Sequence, residues 1–315
     1  CSWQKRRHNW DIKPEYIVQT YGVVVAIGIA IRAFTEKGDN ILIQSPVYTP
    51  FSVQVESNGR HVLESTLIYK NGTYEIDFDD FEKKAKDAKM FILCSPHNPV
   101  GRVWTKEELS KMAEICLKNN VFMLSDEIHN DLVYGREHTV FAKVSETVAD
   151  KCIVCTAPSK TFNIPGLITS NIIIKNEDIR SKFNEELFRT INHFSNPLGT
   201  RACTAAYTHG DKWVDELCAY IAENAKTLEK ELSEKIPEAS MAKMEGTYLA
   251  WVDLSFLGLA DDELKEFMEK KAGLPVNMGS AYGKTGAGFI RVNIGCPKKY
   301  VIDFVDRLAK AISER

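Results

Sequence analysis

The chain has 315 residues, of which 44% are hydrophobic and 26% charged, with a formal net charge of −3. That balance suits a soluble globular protein long enough for a large core and two domains. It gives no electrostatic case for nucleic acid or a membrane surface, and no apolar run approaches transmembrane length.

The opening Cys1-Ser2-Trp3-Gln4-Lys5 does not have the form of a secretory signal. The basic run Lys5-Arg6-Arg7 reads as a solvated patch. Residues 22–36 are apolar nearly all round, with Val23, Val24, Val25, Ile27, Ile29, Ile31 and Phe34, and predict a buried helix closed by Gly38-Asp39. Strands are expected at 40–44 and 61–69, with a surface helix at 77–88 between them and the apolar strand 91–95. A helix over 105–119 opens with the capping box Thr105-x-x-Glu108 and carries Leu109, Met112, Ala113, Cys116 and Leu117 on one face. Strands follow at 121–125, 151–156 and 170–175. Strands apolar on both faces that alternate with helices indicate an α/β fold with a largely parallel sheet covered on both sides.

The character changes after about residue 210. A long charged helix is expected over 211–235, then a strand at 247–253, a helix at 261–271 and a strand at 289–293. The last helix starts at Pro297 with Val301, Phe304, Val305, Leu308 and Ile312 on one face. The division is therefore a large domain over 1–210 and a smaller C-terminal α+β domain over 211–315.

The eight cysteines do not suggest a disulfide framework in a chain this long. Cys94, Cys152 and Cys155 fall in expected buried strands, where a thiol acts as a small hydrophobe. Cys152-x-x-Cys155 has a redox spacing, but positions i and i+3 of a strand face opposite sides. Cys94-x-x-His97 could begin a zinc site, yet no second pair at ligand spacing follows, so no metal is expected. A reducing cytoplasm fits this usage.

Apolar strands run into polar, chemically capable residues at Asn98, Asp126 and Lys160. In α/β sheets, sites gather at such strand ends. Lysine at the mouth of a buried strand is costly unless paired or chemically engaged. A desolvated amine loses its proton readily and becomes a nucleophile. Each residue also has a plainer reading: a surface lysine, a helix N-cap at Asp126, a turn asparagine before Pro99.

Taken in order, a set of motifs resembles the fold-type I pyridoxal-phosphate (PLP) enzymes of the aminotransferase class I/II superfamily. These are 22–27 (Gly-Val-Val-Val-Ala-Ile), 46–51 (Pro-Val-Tyr-Thr-Pro-Phe), 97–102 (His-Asn-Pro-Val-Gly-Arg), 125–132 (Ser-Asp-Glu-Ile-His-Asn-Asp-Leu), 158–164 (Pro-Ser-Lys-Thr-Phe-Asn-Ile), 196–199 (Asn-Pro-Leu-Gly) and 289–293 (Phe-Ile-Arg-Val-Asn). Within that superfamily the chain is most similar to the MalY/PatB branch of cystathionine β-lyases (C–S lyases). The resemblance implies an aspartate aminotransferase-like fold, pyridoxal 5'-phosphate as cofactor, a small sulfur-containing amino acid as substrate and a homodimer. It assigns Lys160 to the Schiff base and to proton removal, Asp126 to the pyridine nitrogen, and Asn98 to the phenolic oxygen. Tyr48 would stack on the ring, with core packing as the competing reading. The amides of Gly22, Val23 and Val24, with Ser159, would take the phosphate. Arg291 would clamp the substrate carboxylate, the alternative being a surface ion pair.

The same resemblance leads to an expectation that several dozen residues precede the stretch 3–10 in relatives, supplying part of the small domain and a contact to the partner subunit. Ala157 and Ile168 stand where many aminotransferases carry a phosphate-binding serine and arginine. Thr49 stands where a second tyrosine is common, and Pro165 where a small residue is usual. β-Elimination of cystathionine-type substrates to pyruvate, ammonia and a thiol is the leading expectation. An aminotransferase uses the same residues, and a regulatory or binding protein on this fold is the third reading.

Overall fold

The structure is a computed structural model and describes residues 1–191 and 196–315. A short helix α1 (Ser2–His8) leads to strand β1 (Ile17–Thr20) and to helix α2 (Val23–Phe34). Strand β2 (Asn40–Ser45), helix α3 (Pro50–Ser57) and strand β3 (His61–Thr66) follow. The expected single strand over 61–69 ends at Thr66, because Leu67 turns into the core and the chain restarts as a separate hairpin. That hairpin pairs β4 (Ile68–Lys70) with β5 (Thr73–Glu75) through Asn71-Gly72. Both turn residues have positive φ, 52° and 74°, as an Asn-Gly hairpin turn requires.

Helix α4 (Phe78–Ala85), capped by Asp77, precedes strand β6 (Ala88–Cys94). Helix α5 (Lys106–Lys118) carries the capping box: Thr105 Oγ1 accepts from the Glu108 amide at 3.1 Å, and Glu108 accepts from the Thr105 amide at 2.7 Å. Strand β7 (Phe122–Asp126) runs on to Asp126, one residue beyond the expected end. After the short helix α6 (Glu146–Ala149) come β8 (Cys152–Thr156), the single turn α7 (Pro158–Thr161) and β9 (Ser170–Ile173).

These strands build a seven-stranded sheet in the order β1-β9-β8-β7-β6-β2-β3. The run from β8 to β3 is parallel, and β9 is antiparallel to both its neighbours. Successive strand residues alternate between two cores. Ile41, Ile43, Met90 and Ile92 pack under α2 with Phe51 and Phe183, whereas Leu42, Phe91 and Leu93 pack against Phe81, Leu109 and Met112. Cys152 and Cys155 fall on these opposite faces, and every cysteine is a free thiol. α2 is buried on nearly all sides, as its apolar circumference demands.

Helices α8 (Glu177–Ile191) and α9 (Pro197–His209) complete this half. The sequence reading did not place them, although Asn196 caps α9 by accepting from the Gly199 amide at 3.1 Å. The 25-residue helix α10 (Asp211–Lys235) starts immediately after Gly210. Beyond it, strands β10 (Ser240–Met241), β11 (Leu249–Asp253), β12 (Asn277–Met278) and β13 (Phe289–Asn293) form an antiparallel four-stranded sheet in the order β10-β11-β13-β12. Helix α11 (Asp261–Glu266) was expected to reach residue 271; its last turn instead widens to π-helix over Phe267–Lys271, seating both Phe267 and Met268 in the core. Helix α12 (Lys298–Ser313) closes the chain and packs Val301, Phe304, Val305 and Leu308 beside Ile221 and Leu228 of α10.

Arg102 joins the two sheets. Its guanidinium reaches Glu108 of α5 at 2.9 Å and Glu245, ahead of β11, at 3.1 Å. Glu245 also accepts from the Val103 amide at 3.0 Å, and its own amide donates to the Gly101 carbonyl at 2.9 Å. A buried arginine with two carboxylates and backbone partners is satisfied, so this joint is held in one geometry.

Candidate active site

β6, β7 and β8 are neighbours in the parallel run, and Cys94, Asp126 and Cys155 stand level in register. The strands therefore end together. The loop after β6 delivers Asn98, β7 ends in Asp126, and the turn after β8 delivers Lys160 on α7. These residues line one cavity of about 420 Å³, together with Gly22, Val23, Val24, Tyr48, Ser159 and Arg291. Every site residue singled out from the sequence is thus brought to the same place. A roomier cleft of about 570 Å³ lies elsewhere, between Trp10, Tyr16 and Glu146. Two of its lysines are already engaged, Lys143 on the His8 carbonyl at 2.8 Å and Lys175 on Glu146, and none of the residues singled out from the sequence lines it.

Burial pushes the Asp126 carboxyl up to about 7, against the downward pull of the Ile128 amide, which donates to its Oδ1 at 3.1 Å, and of Lys160. Burial lowers the Lys160 amine; Asp126 opposes this and Arg291 adds to it. Both groups are driven toward their neutral forms, as desolvation requires. Neighbouring Glu127 is turned away from the cavity. It accepts from Ser125 Oγ at 2.9 Å and the Phe141 amide at 2.8 Å, and pairs with His138 Nε2 at 2.8 Å.

The cavity wall opposite is the N-terminus of α2. Gly22 caps it at φ 97°, and no side chain supplies a cap hydrogen bond. The first-turn amides of Val23 and Val24 have no partner within the helix and carry its positive dipole end. Such an end is a ready anion seat, and Ser159 and Thr169 add hydroxyls beside it. Ile168, which stands where many aminotransferases are expected to carry arginine, also lines the cavity; it is 51% exposed and holds φ 41°.

Arg291 sits in β13 between Trp251 and Asn277. Its Nη1 donates to Asn98 Oδ1 at 2.9 Å and its Nη2 to Asn277 Oδ1 at 2.8 Å, while the guanidinium lies 4.9 Å from the Tyr282 ring centroid. Among the described residues it pairs with no carboxylate, and its buried Nε has no partner. Its charge is positioned but not neutralised. Because Arg291 occupies the Asn98 oxygen, the Asn98 amide NH2 remains to donate. Tyr48 is half-buried, with Phe51 edge-on at 5.8 Å, and burial raises its hydroxyl. It both lines the cavity and packs on the core.

Among the cavity residues that the sequence reading missed, His129 and Tyr248 stand out. His129 is buried with an unpartnered Nδ1, and burial pushes it down to about 3, with Lys160 and Arg291 contributing. It therefore stays neutral. Tyr248 meets it edge-on at 5.6 Å. The signal for His129 was the turn after Asp126, which returns the chain to the cavity three residues later; Tyr248 resembled any core aromatic.

The chain matches the model of the aminotransferase class I and II family over residues 1–308. It is 46% identical to cystathionine β-lyase PatB of Bacillus subtilis, over 99% of this chain and 82% of that protein. It is 32% identical to MalY of Escherichia coli, over 98% of this chain and 80% of that protein. Cystalysin of Treponema denticola, whose crystal structure contains pyridoxal 5'-phosphate, superposes with a TM-score of 0.97 at 42% identity, covering 99% of this chain and 80% of that one. The chain belongs to the aminotransferase class I and II family, and its fold is that of the PLP-dependent aminotransferases.

Proposed function

We propose that this chain is a PLP-dependent C–S β-lyase that converts cystathionine or related cysteine derivatives to pyruvate, ammonia and a thiol. The observation that carries the reading is the convergence of Lys160, Asp126, Asn98 and Arg291 in one cavity of a chain 46% identical to a cystathionine β-lyase. The donor set fits the cofactor group by group. Lys160 would hold its aldehyde carbon, Asp126 its ring nitrogen, Asn98 its phenolic oxygen and Tyr48 its ring face. The α2 amides and Ser159 would hold its phosphate. The uncapped helix end and the unneutralised Arg291 are the features that most need an anion.

When bound, the cofactor supplies an electron sink at the substrate Cα. Arg291 takes the α-carboxylate in a bidentate grip and fixes which Cα substituent faces Lys160. The Lys160 amine, whose proton desolvation makes easier to lose, removes the Cα proton. Loss of the thiolate from Cβ follows, and hydrolysis of the remaining three-carbon fragment gives pyruvate and ammonia. Asp126, as a carboxylate beneath the site, favours a protonated partner and so maintains the sink. Replacing Arg291 by lysine keeps the charge but loses the fork. KM for L-cystathionine should rise about 10- to 100-fold and kcat should fall with it, because grip and orientation are lost together, as steady-state kinetics would measure.

The direct test is pyruvate release from L-cystathionine by the chain supplied with PLP and no keto acid. Stoichiometric pyruvate supports the lyase. Turnover only when a keto acid is added makes the chain an aminotransferase, and failure to bind PLP makes it a binding or regulatory protein on this fold. A homodimer is the oligomeric state that the family resemblance implies, and light scattering would measure it. No helix among the described residues is long and apolar enough to cross a membrane. The free thiols, several fully buried, suit a reducing compartment such as the cytoplasm.

A further inference from the structure

The turn that leaves β7 buries a second carboxylate, Asp131, whose side chain is only 1% exposed. It lies outside the cavity and touches none of the groups assigned to cofactor or substrate. A buried carboxylate is tolerated only when its lone pairs are filled. Two distant parts of the chain fill them here. Trp3 Nε1 donates to Oδ1 at 3.0 Å, and His8 Nε2 lies 2.8 Å from the same oxygen. Thr161 Oγ1 donates to Oδ2 at 2.9 Å.

Thr161 is the residue after Lys160 and is fully buried. It is held a second time, through its main chain: Trp213 Nε1 of α10 donates to the Thr161 carbonyl at 3.0 Å. Side chain and backbone of residue 161 are thus anchored by two different parts of the chain, at the end of a helix only one turn long. A four-residue turn has no stability of its own. The Cα of Lys160 is therefore placed by what Thr161 is bonded to. On the far side of the carboxylate, α1 is also too short to persist alone. Trp3 stacks on Tyr207 at 5.0 Å and meets Phe162 edge-on at 5.6 Å, which fastens α1 to the segment that follows Lys160.

We propose that Asp131 is a positioning residue for Lys160, acting through the Thr161 hydroxyl, with α1 completing the shell around the carboxylate through Trp3 and His8. The inference rests on the reading of Lys160 as the reacting amine. A merely structural Asp131 would anchor α1 and contribute stability, with no effect on the Lys160 amine.

Three variants separate these roles in the full chain: Thr161→Val, Thr161→Ser and Asp131→Asn. The first readout needs no cofactor. Competitive acetylation by limiting acetic anhydride across pH, read by peptide mass, reports the titration of Lys160 against exposed lysines. In Thr161→Val and Asp131→Asn the Lys160 midpoint should rise toward that of the exposed lysines, as the amine gains access to solvent; Thr161→Ser should match the parent. The second readout is the rate at which added PLP becomes reducible onto Lys160 by borohydride. It should fall about tenfold or more in the Val and Asn variants and stay within about twofold in the Ser variant. Parent-like acetylation and trapping beside a lowered Tm would overturn the proposal and leave Asp131 an anchor for α1. If Thr161→Val does not fold, Asp131→Asn decides by the same readouts. No trapping in the unaltered chain would instead defeat the lyase reading, while the acetylation comparison would still judge Asp131.

Discussion

Replacing Lys160 by alanine is expected to lower turnover of L-cystathionine by at least about a thousandfold. No other amine among the cavity-lining residues can take its place: the remaining cation there, Arg291, is held by Asn98 and Asn277 and does not give up a proton at neutral pH. The loss should fall on kcat and kcat/KM together, because in the proposed mechanism the amine acts on the Cα proton rather than in initial binding. The fold should survive. Lys160 lies inside a single helical turn where alanine is well tolerated, and removing a half-buried amine relieves a desolvation cost. Circular dichroism together with initial rates checks both halves. Retained turnover would remove Lys160 from the chemistry.

Asp126→Asn carries the second large effect. Turnover should fall about a hundredfold or more, because a neutral amide gives no preference to a protonated partner. The same variant also exposes an opposition of charges in the cofactor-free chain. The folded Asp126 holds its proton up to about 7, well above an unfolded aspartate. Its contribution to stability is therefore complete below pH 4 and is lost as pH rises through about 7. His129 behaves in the opposite sense. Its folded form releases its proton at about 3, whereas the unfolded chain holds one up to about 6.5. Stability from His129 thus grows as pH rises between those values.

Between pH 4 and 6 the two slopes cancel, each at most about 1.4 kcal/mol per pH unit. Asp126→Asn should leave a Tm that climbs with pH over this range, and His129→Gln one that falls. Parallel profiles for both variants and the parent would show that neither group titrates as its surroundings dictate.

The readable part of this molecule is the part written in short-range patterns. β6, β7 and β8 are apolar on both faces and stop at polar residues, so Asn98, Asp126 and Lys160 stood out as breaks in otherwise apolar runs. The capping box of α5 and the apolar circumference of α2 were equally local. Gly22, Val23, Val24, Tyr48, Ser159 and Arg291 came from ordered motif resemblance, since a helix-end amide or a strand arginine has no periodic signature. What escaped was set by long-range contact. Asp131 meets Trp3 across 128 residues of sequence, and nothing near either residue announces the other. His129 gained its place only when the turn after β7 closed, and Tyr248 only when the second sheet docked through Arg102 and Glu245. The π-helical turn at the end of α11 likewise answers to core packing and not to local propensity.

The anion seat at the start of α2 has a consequence for how this protein can vary. The donors that α2 would contribute are peptide N–H groups, so on the proposed reading the side chains of residues 23 and 24 take no part in the recognition they frame. Gly22 is different: a Cβ there would find room, with Ile168 Cγ2 at 3.8 Å, yet φ 97° is a conformation that residues with a Cβ rarely adopt. In a library randomised across these positions and selected for function, diversity should collapse at residue 22 and persist at residue 24. The part of the seat that α2 supplies rests on one backbone angle, and an inventory of chemically active side chains would overlook it.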